Sequence, residues 1–518
     1  MSIAFRKASA RRSSGTFGSL LIMLLVVLCA PTPADAANCI WTGGGTDALW
    51  STLNNWAAPC AAAGPVNGDA VFFPVNAARP DNENDTANLQ LTGFFITGTG
   101  AGNLRYRITG DPIILADNQV LNVNTPADIN GNGPQVLAPL VLGANTEIVL
   151  NNQVDLRIGD VSLGAFNLRV FSLHPQGHVT IGGTITGGIA GVSLRHSGTG
   201  WLHLSGNNSF VGQVLVDGSS RLEVDHANGL GASGAGHETN VTSGSETFVT
   251  HTFAGNVPES FFLDGVGPSG GALRVNGTRT ITGVLVLAAQ AAISVGDELT
   301  LTGLVFGGEL VKDGDGSLIL QANNTYATTV ITEGEVFVNG NQSASAVNMP
   351  DGLLGGTGTT GLVDSTGSGE IAPGLSPGIL NTGSVAFATN SSLEVEMDGP
   401  AVGTGYDQLN VTGTVTLDNP NFDLALTFVP AAGAEFIVIN NDGADPIAGT
   451  FTGMAQGAIV DLDGQPFHVN YLGGDGNDVV LSFAPNGVPT MPAIVFLALT
   501  ALISAVVVLR LRRRAAAM

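Results

Sequence analysis

Few residues in this 518-residue chain are spaced for chemistry. Gly374-Leu375-Ser376-Pro377-Gly378 has the G-x-S-x-G spacing of a serine nucleophile on a sharp turn. Such a turn uses the backbone N–H after the serine to hold an oxyanion. Pro377 has no N–H, so a proline turn is expected instead. Gly356-Thr357-Gly358-Thr359-Thr360-Gly361 has the spacing of a dinucleotide loop, which must open a helix toward the pyrophosphate. The next residues, Leu362 to Gly367, read as strand and turn. Gly473-Gly474-Asp475-Gly476-Asn477-Asp478-Val479-Val480-Leu481 fits the calcium nonapeptide, with Asp475 and Asp478 as its carboxylates. A calcium roll takes oxygens from neighbouring turns, and one copy is present. Asp313 and Asp315 form a second acidic turn, expected to be solvated. His174 and His178 have zinc spacing only on a helix, and Pro175 and Gly177 put them in a loop. No catalytic residue, metal or cofactor is therefore expected.

The surrounding elements are strands. Glycine contributes 72 residues, aromatic residues 6 % and charged residues 12 %, which excludes a helical bundle. The net charge of −24 excludes a nucleic-acid binder, which needs a basic face. Runs such as Thr146-Glu147-Ile148-Val149-Leu150 and Val154-Asp155-Leu156-Arg157-Ile158 alternate with period two. That is the pattern of strands packed on a core from one side. Glycine, asparagine, aspartate and serine break the runs, and no amphipathic helix of 12 residues or more lies between the two ends. The body is all-β.

Both ends carry positive charge beside an apolar run. Arg6, Lys7, Arg11 and Arg12 precede Leu20 to Ala30 and the A-x-A site Ala34-Asp35-Ala36. Together these make a secretory signal helix over residues 1–36, cut after Ala36 and addressed to Sec-type export machinery. A lipoprotein reading of Cys29 is disfavoured by the large Leu28 before it. At the other end (residues 484–518), Val488-Pro489-Thr490-Met491 leads into the uncharged stretch 493–509. The cluster Arg510, Arg512, Arg513 and Arg514 comes next. A span of this length is near the lower limit of about 17–25 residues for a transmembrane helix. The arginines would hold its far end in the cytoplasm. One reading is a plain anchor in the lipid bilayer. The other is a sorting signal, because motif, helix and basic tail resemble the IPTL-CTERM class in that order. That resemblance implies a sorting enzyme of the exosortase kind as a partner. After signal removal Cys39 and Cys60 remain, an even pair in an oxidising compartment. A disulfide is expected over two buried thiols, closing a loop worth roughly 3 kcal/mol.

Internal repetition decides between a sandwich and a solenoid. Gly198-Thr199-Gly200-Trp201-Leu202-His203-Leu204-Ser205-Gly206-Asn207-Asn208-Ser209-Phe210 returns as Gly314-Asp315-Gly316-Ser317-Leu318-Ile319-Leu320-Gln321-Ala322-Asn323-Asn324-Thr325-Tyr326. One copy alone exposes an apolar face and a strand edge, so it needs stacked neighbours. A single right-handed parallel β-helix with capped ends, at about 22 residues a rung, meets both demands. The unit resembles the autotransporter-associated β-strand repeat of bacterial surface passengers. Ile371-Ala372-Pro373-Gly374, Gly405-Tyr406-Asp407-Gln408 and Gly473-Gly474-Asp475-Gly476 resemble the ends of such passengers. Trp41-Thr42-Gly43-Gly44, Trp50-Ser51 and Asn55-Trp56 resemble their N-terminal cap. The expected organisation is a cap with first rungs over 37–115, a β-helix over 116–350 and passenger-like rungs over 351–483. The resemblance implies a cell-surface or envelope protein with a structural or adhesive role and a surface ligand, a glycan or a host or neighbouring cell. The alternative is a β-helix polysaccharide lyase or hydrolase. That needs clustered carboxylates with a basic partner, and Lys312 is the only lysine after Lys7.

Overall fold

The computed structural model describes residues 36–99, 105–116, 120–125, 133–250, 252–253, 255–442 and 445–484. The expected signal helix and Ala34, and all of Val488–Met491, 493–509 and Arg510–Arg514, lie outside these residues. Among the described residues no helix is long and apolar enough to cross a membrane. Their only helix is a single 3-10 turn, Cys60–Ala62.

The compact body begins at Ala37 and is a parallel β-solenoid. The first strand, Asn38–Ile40, pairs with Ala70–Phe73, which pairs with Gly93–Ile96, and the ladder continues rung on rung to Ala448–Thr450. Successive strands point alternate residues inward, as in Arg221–Val224, where Leu222 and Val224 are buried and Arg221 and Glu223 face outward. The inward residues join into one hydrophobic cluster from Cys39 to Phe483. Rungs are not uniform. The step is 16 residues from Val347 to Val363 but 32 from Thr416 to Ala448, because only the paired strands are constrained and the turns between them can lengthen.

At the N-terminal end Trp41, Trp50 and Trp56 are fully buried against Phe73. Trp41 and Trp50 each meet Trp56 edge-on, with centroids 5.0 and 5.4 Å apart. Each indole N–H has an acceptor: Arg79 O, Asn82 Oδ1 and Trp50 O respectively. Cys39 and Cys60 are disulfide-bonded, their Cα atoms 5.5 Å apart. Near the C-terminal end pairing turns antiparallel, with Gln465–Gly473 between Ile459–Leu462 and Asp478–Phe483.

The two repeat copies show why the motif is written as it is. Gly198 and Gly314 have φ of 99° and 79°, and a Cβ on either would collide with the carbonyl oxygen of the rung below, Ser172 or Val295. The Asn-Asn pair clasps in both directions. Asn208 and Asn324 are buried, and each Oδ1 accepts a backbone N–H from the preceding rung, Ile185 or Val305, at 2.8 Å. Asn207 and Asn323 reach the following rung, at Asn228 Nδ2 and the Asn341 N–H. Asn208 Nδ2 also donates to Gly229 O at 2.7 Å, whereas Asn324 Nδ2 has no partner among the described residues.

A buried donor left without its acceptor costs about 1–3 kcal/mol. Asn208→Ala should therefore speed exchange of the Ile185 amide by about tenfold or more. Asn324→Ala, which loses one bond rather than two, should speed the Val305 amide less. Hydrogen exchange read by mass spectrometry checks both.

Candidate functional site

Among the described residues, outward clusters of three kinds stand out for their chemistry. The first is acidic. Leu353–Gly356, Glu370–Pro373, Ser392–Met397 and Asn421–Leu426 stack in parallel. Alternation sends Leu354, Ile371, Leu393 and Val395 inward and leaves Glu370, Glu394, Glu396 and Asp423 outside. Glu394 stands directly opposite Asp423. Glu370 hydrogen-bonds to Glu394, and this contact, with partial burial and the surrounding carboxylates, pushes Glu370 up to about 7. Beside them lies a cavity of about 280 Å³ lined by Phe337, Leu353, Pro373, Ser376, Glu394 and Asp407, among others. Asp407 is buried. It accepts the Gly378 N–H at 2.6 Å and the Glu396 N–H at 2.7 Å. Burial nonetheless raises it to about 7, outweighing those two bonds.

Two carboxyls in hydrogen-bond contact invite comparison with the acid and base of glycoside cleavage, but the geometry is different. Retaining enzymes hold the pair about 5–5.5 Å apart and inverting enzymes further, whereas Glu370 and Glu394 touch. No basic side chain and no histidine lines the cavity. Ser376 lines it too, with no histidine or lysine in the lining beside it. Lys312 is buried, and its Nζ donates to the carbonyls of Asp313, Gly314 and Glu333. It serves as a backbone clasp.

The second cluster is apolar. Phe262, Val286 and Phe306 follow one another in register on three rungs. Both phenylalanines are 40 % exposed, while Phe261 faces the core. With Ala235, Glu238 and Asn240 they line an open concavity of about 400 Å³. A similar outward row, Ile40, Phe72 and Phe95, stands over the first rungs, its two rings stacked at 4.5 Å. Neither row is legible in the sequence, because each residue is one outward position of an ordinary strand.

The third is mixed: His203, Glu223 and Asp225 present donor atoms within 4.8 Å of one another. Sequence reasoning missed it, since the residues lie on different strands. The aspartates and histidines it did single out form no such three-donor cluster among the described residues. Asp475 is exposed in the hairpin turn, while Asp478 is buried and accepts the Asn441 N–H at 2.9 Å. His174 Nδ1 accepts the Gln176 N–H, and His178 stacks on Trp201. Gly356-Thr357-Gly358-Thr359-Thr360-Gly361 spans two strands, Leu353–Gly356 and Thr359–Thr360, and opens no helix.

Carboxyls raised in the folded state tie stability to pH. Glu370 and Asp407, and Glu259, which burial raises to about 8, bind protons in the folded chain that the unfolded chain has already lost above about pH 4–5. Stability from these groups is complete below that range and is lost as pH rises through 7 to 8. The melting temperature should fall between pH 5 and pH 8, and Asp407→Asn should flatten the decline. Thermal melts across that range check it.

No family model matches the chain. It is 26 % identical over 343 residues to the adhesin BmaC autotransporter of Brucella suis biovar 1 (strain 1330), a match covering 65 % of this chain and 9 % of that protein. The chain thus spans less than a tenth of the length of the curated relative it matches. Among solved structures it is similar to the Haemophilus influenzae Hap adhesin at 9 % identity and a TM-score of 0.26, over 82 % of this chain and 65 % of that one.

Proposed function

We propose that this chain is an exported bacterial surface or envelope protein with an adhesive or structural role, acting through the outer face of its solenoid and not by turnover. The observation that carries the reading is the in-register row Phe262–Val286–Phe306 over its concavity. Apolar side chains left exposed in a row mark a contact surface. At about 4.8 Å per rung the two rings stand roughly 10 Å apart along the rod, with Glu238 and Asn240 beside them. Flat apolar rings flanked by hydrogen-bonding groups suit the faces and hydroxyls of a glycan chain, the occupant to which this reading commits. Similarity to an adhesin passenger supports it.

Export and tethering belong to the same proposal. Cleavage after Ala36 and retention through 493–509, with or without processing at Val488–Met491 by an exosortase-type enzyme, would hold the rod at a membrane. Ala37 supports the first cut. Its N–H donates to Asp69 Oδ1 at 2.8 Å, and Asp69 is buried, its Oδ2 accepting the Val66 N–H. A freed α-ammonium at Ala37 would strengthen that contact by charge.

The second reading, a polysaccharide lyase or hydrolase, draws on the hydrogen-bonded carboxyl pair Glu370 and Glu394 beside the cavity. The two readings separate experimentally. Glycan-array and cell-binding assays should show adhesion that drops at least tenfold in the double variant Phe262→Ser, Phe306→Ser, with no polysaccharide consumed. Turnover abolished by Glu394→Gln, with binding indifferent to the phenylalanines, would establish the enzyme instead. Mass spectrometry of the mature protein should find Ala37 at its N-terminus, and Asp69→Asn should lower the stability of that form more than that of the uncut chain.

A further inference from the structure

We infer that His203, Glu223 and Asp225 form a binding site for one divalent cation of the zinc class on the outer face of the solenoid. The three side chains come from two adjacent rungs. Trp201–Leu204 pairs in parallel with Arg221–Val224, which sets His203 directly opposite Glu223. Asp225 follows two residues later on the same side, its N–H fixed to Leu204 O at 3.0 Å. The donor nitrogen and oxygens all lie within 4.8 Å of one another. His203 Nε2 and Asp225 Oδ2 are already 2.6 Å apart. A tetrahedral centre with bonds of about 2.1 Å needs its donors about 3.4 Å apart, so rotamer adjustment without backbone movement brings the three to a common ion.

The surroundings are those of a held site. Asp225 Oδ1 accepts the hydroxyl of Thr250, itself buried and 2.8 Å from the Thr252 hydroxyl, so the carboxylate is oriented from behind. The Glu223 main chain pairs in the ladder, and its carboxylate has no hydrogen-bond partner among the described residues. The strands beneath are anchored by Leu202, Leu204, Leu222 and Val224 in the core. On their outer side, His178 and Arg221 pack on the two neighbouring sides of Trp201. All three ligands are partly exposed, so an ion can enter.

Donor chemistry selects the ion. One imidazole and two carboxylates neutralise a divalent charge, and the imidazole favours zinc or its first-row neighbours over calcium and magnesium, which take oxygen cages. Three protein ligands leave a fourth position facing outward, open to water or to a group on a contacting molecule.

The test is titration of the whole protein with Zn²⁺ alone, in competition with a chromophoric chelator. Cobalt(II) substitution supplies an independent reading, the visible bands of a tetrahedral centre. The expected result is one ion per chain, a raised melting temperature, and affinity lower by at least about tenfold in both His203→Ala and Glu223→Gln. His468→Ala, remote on the closing hairpins, should bind as the parent does. Absence of stoichiometric binding, or binding equal in the parent and His203→Ala, overturns the site. Circular dichroism of each variant confirms that the rungs are intact, so a loss of binding cannot be mistaken for unfolding.

Discussion

Each rung of a parallel solenoid leaves a full row of backbone N–H and C=O groups open until the next rung arrives. The rest of this molecule answers to that constraint. Edge pairing sets the register from rung to rung, interrupted by local shifts such as those between Leu263 and Gly265 and between Leu287 and Gln290, and inward residues still meet inward residues from Cys39 to Phe483 in a single core. It also brings backbones so close at the corners that a side chain on Gly198 or Gly314 has no room. Where the chain turns out of the ladder, polar side chains take over the pairing. The buried asparagines do so between strands, and Lys312 and Arg279 do so at carbonyls, Arg279 giving Nε and Nη2 to Thr250 O.

A stack must also begin and stop. The opening end is closed by bulk: three tryptophans and Phe73, each indole N–H satisfied so that the rings can be buried without penalty. The other end is closed by direction. A shift to antiparallel pairing in Gln465–Gly473 and Asp478–Phe483 folds the chain back on itself, and Asp478 serves that closure by holding the Asn441 N–H.

How much of this was legible in the sequence depends on the range of the interaction. Period-two alternation gave the strands, and the 116-residue repeat offset gave stacking, because both are local patterns copied along the chain. The Cys39–Cys60 pairing followed from count and compartment. The carboxylate cluster was not legible. Glu370, Glu394 and Asp423 become neighbours only through the rung steps, and those steps vary from 16 to 32 residues where a constant value near 22 was expected. The same irregularity hid Phe262 beneath Phe306 and His203 beside Glu223. A single sequence shows which residues face outward but not which outward residues share a row, since turn length is free to drift while pairing is not.

The outer surface is consequently a set of rows with few kinds of side chain, and one kind is missing. Lys312 is the sole lysine after Lys7, and its ammonium is enclosed by three carbonyls. The described faces of the rod therefore offer no free lysine amine. Reagents that tag cell-surface proteins by acylating lysine would pass over these faces, and so would any enzyme that builds isopeptide bonds or attaches groups at that residue. A rod of this kind can sit among neighbours modified at lysine while its own described faces carry no such mark.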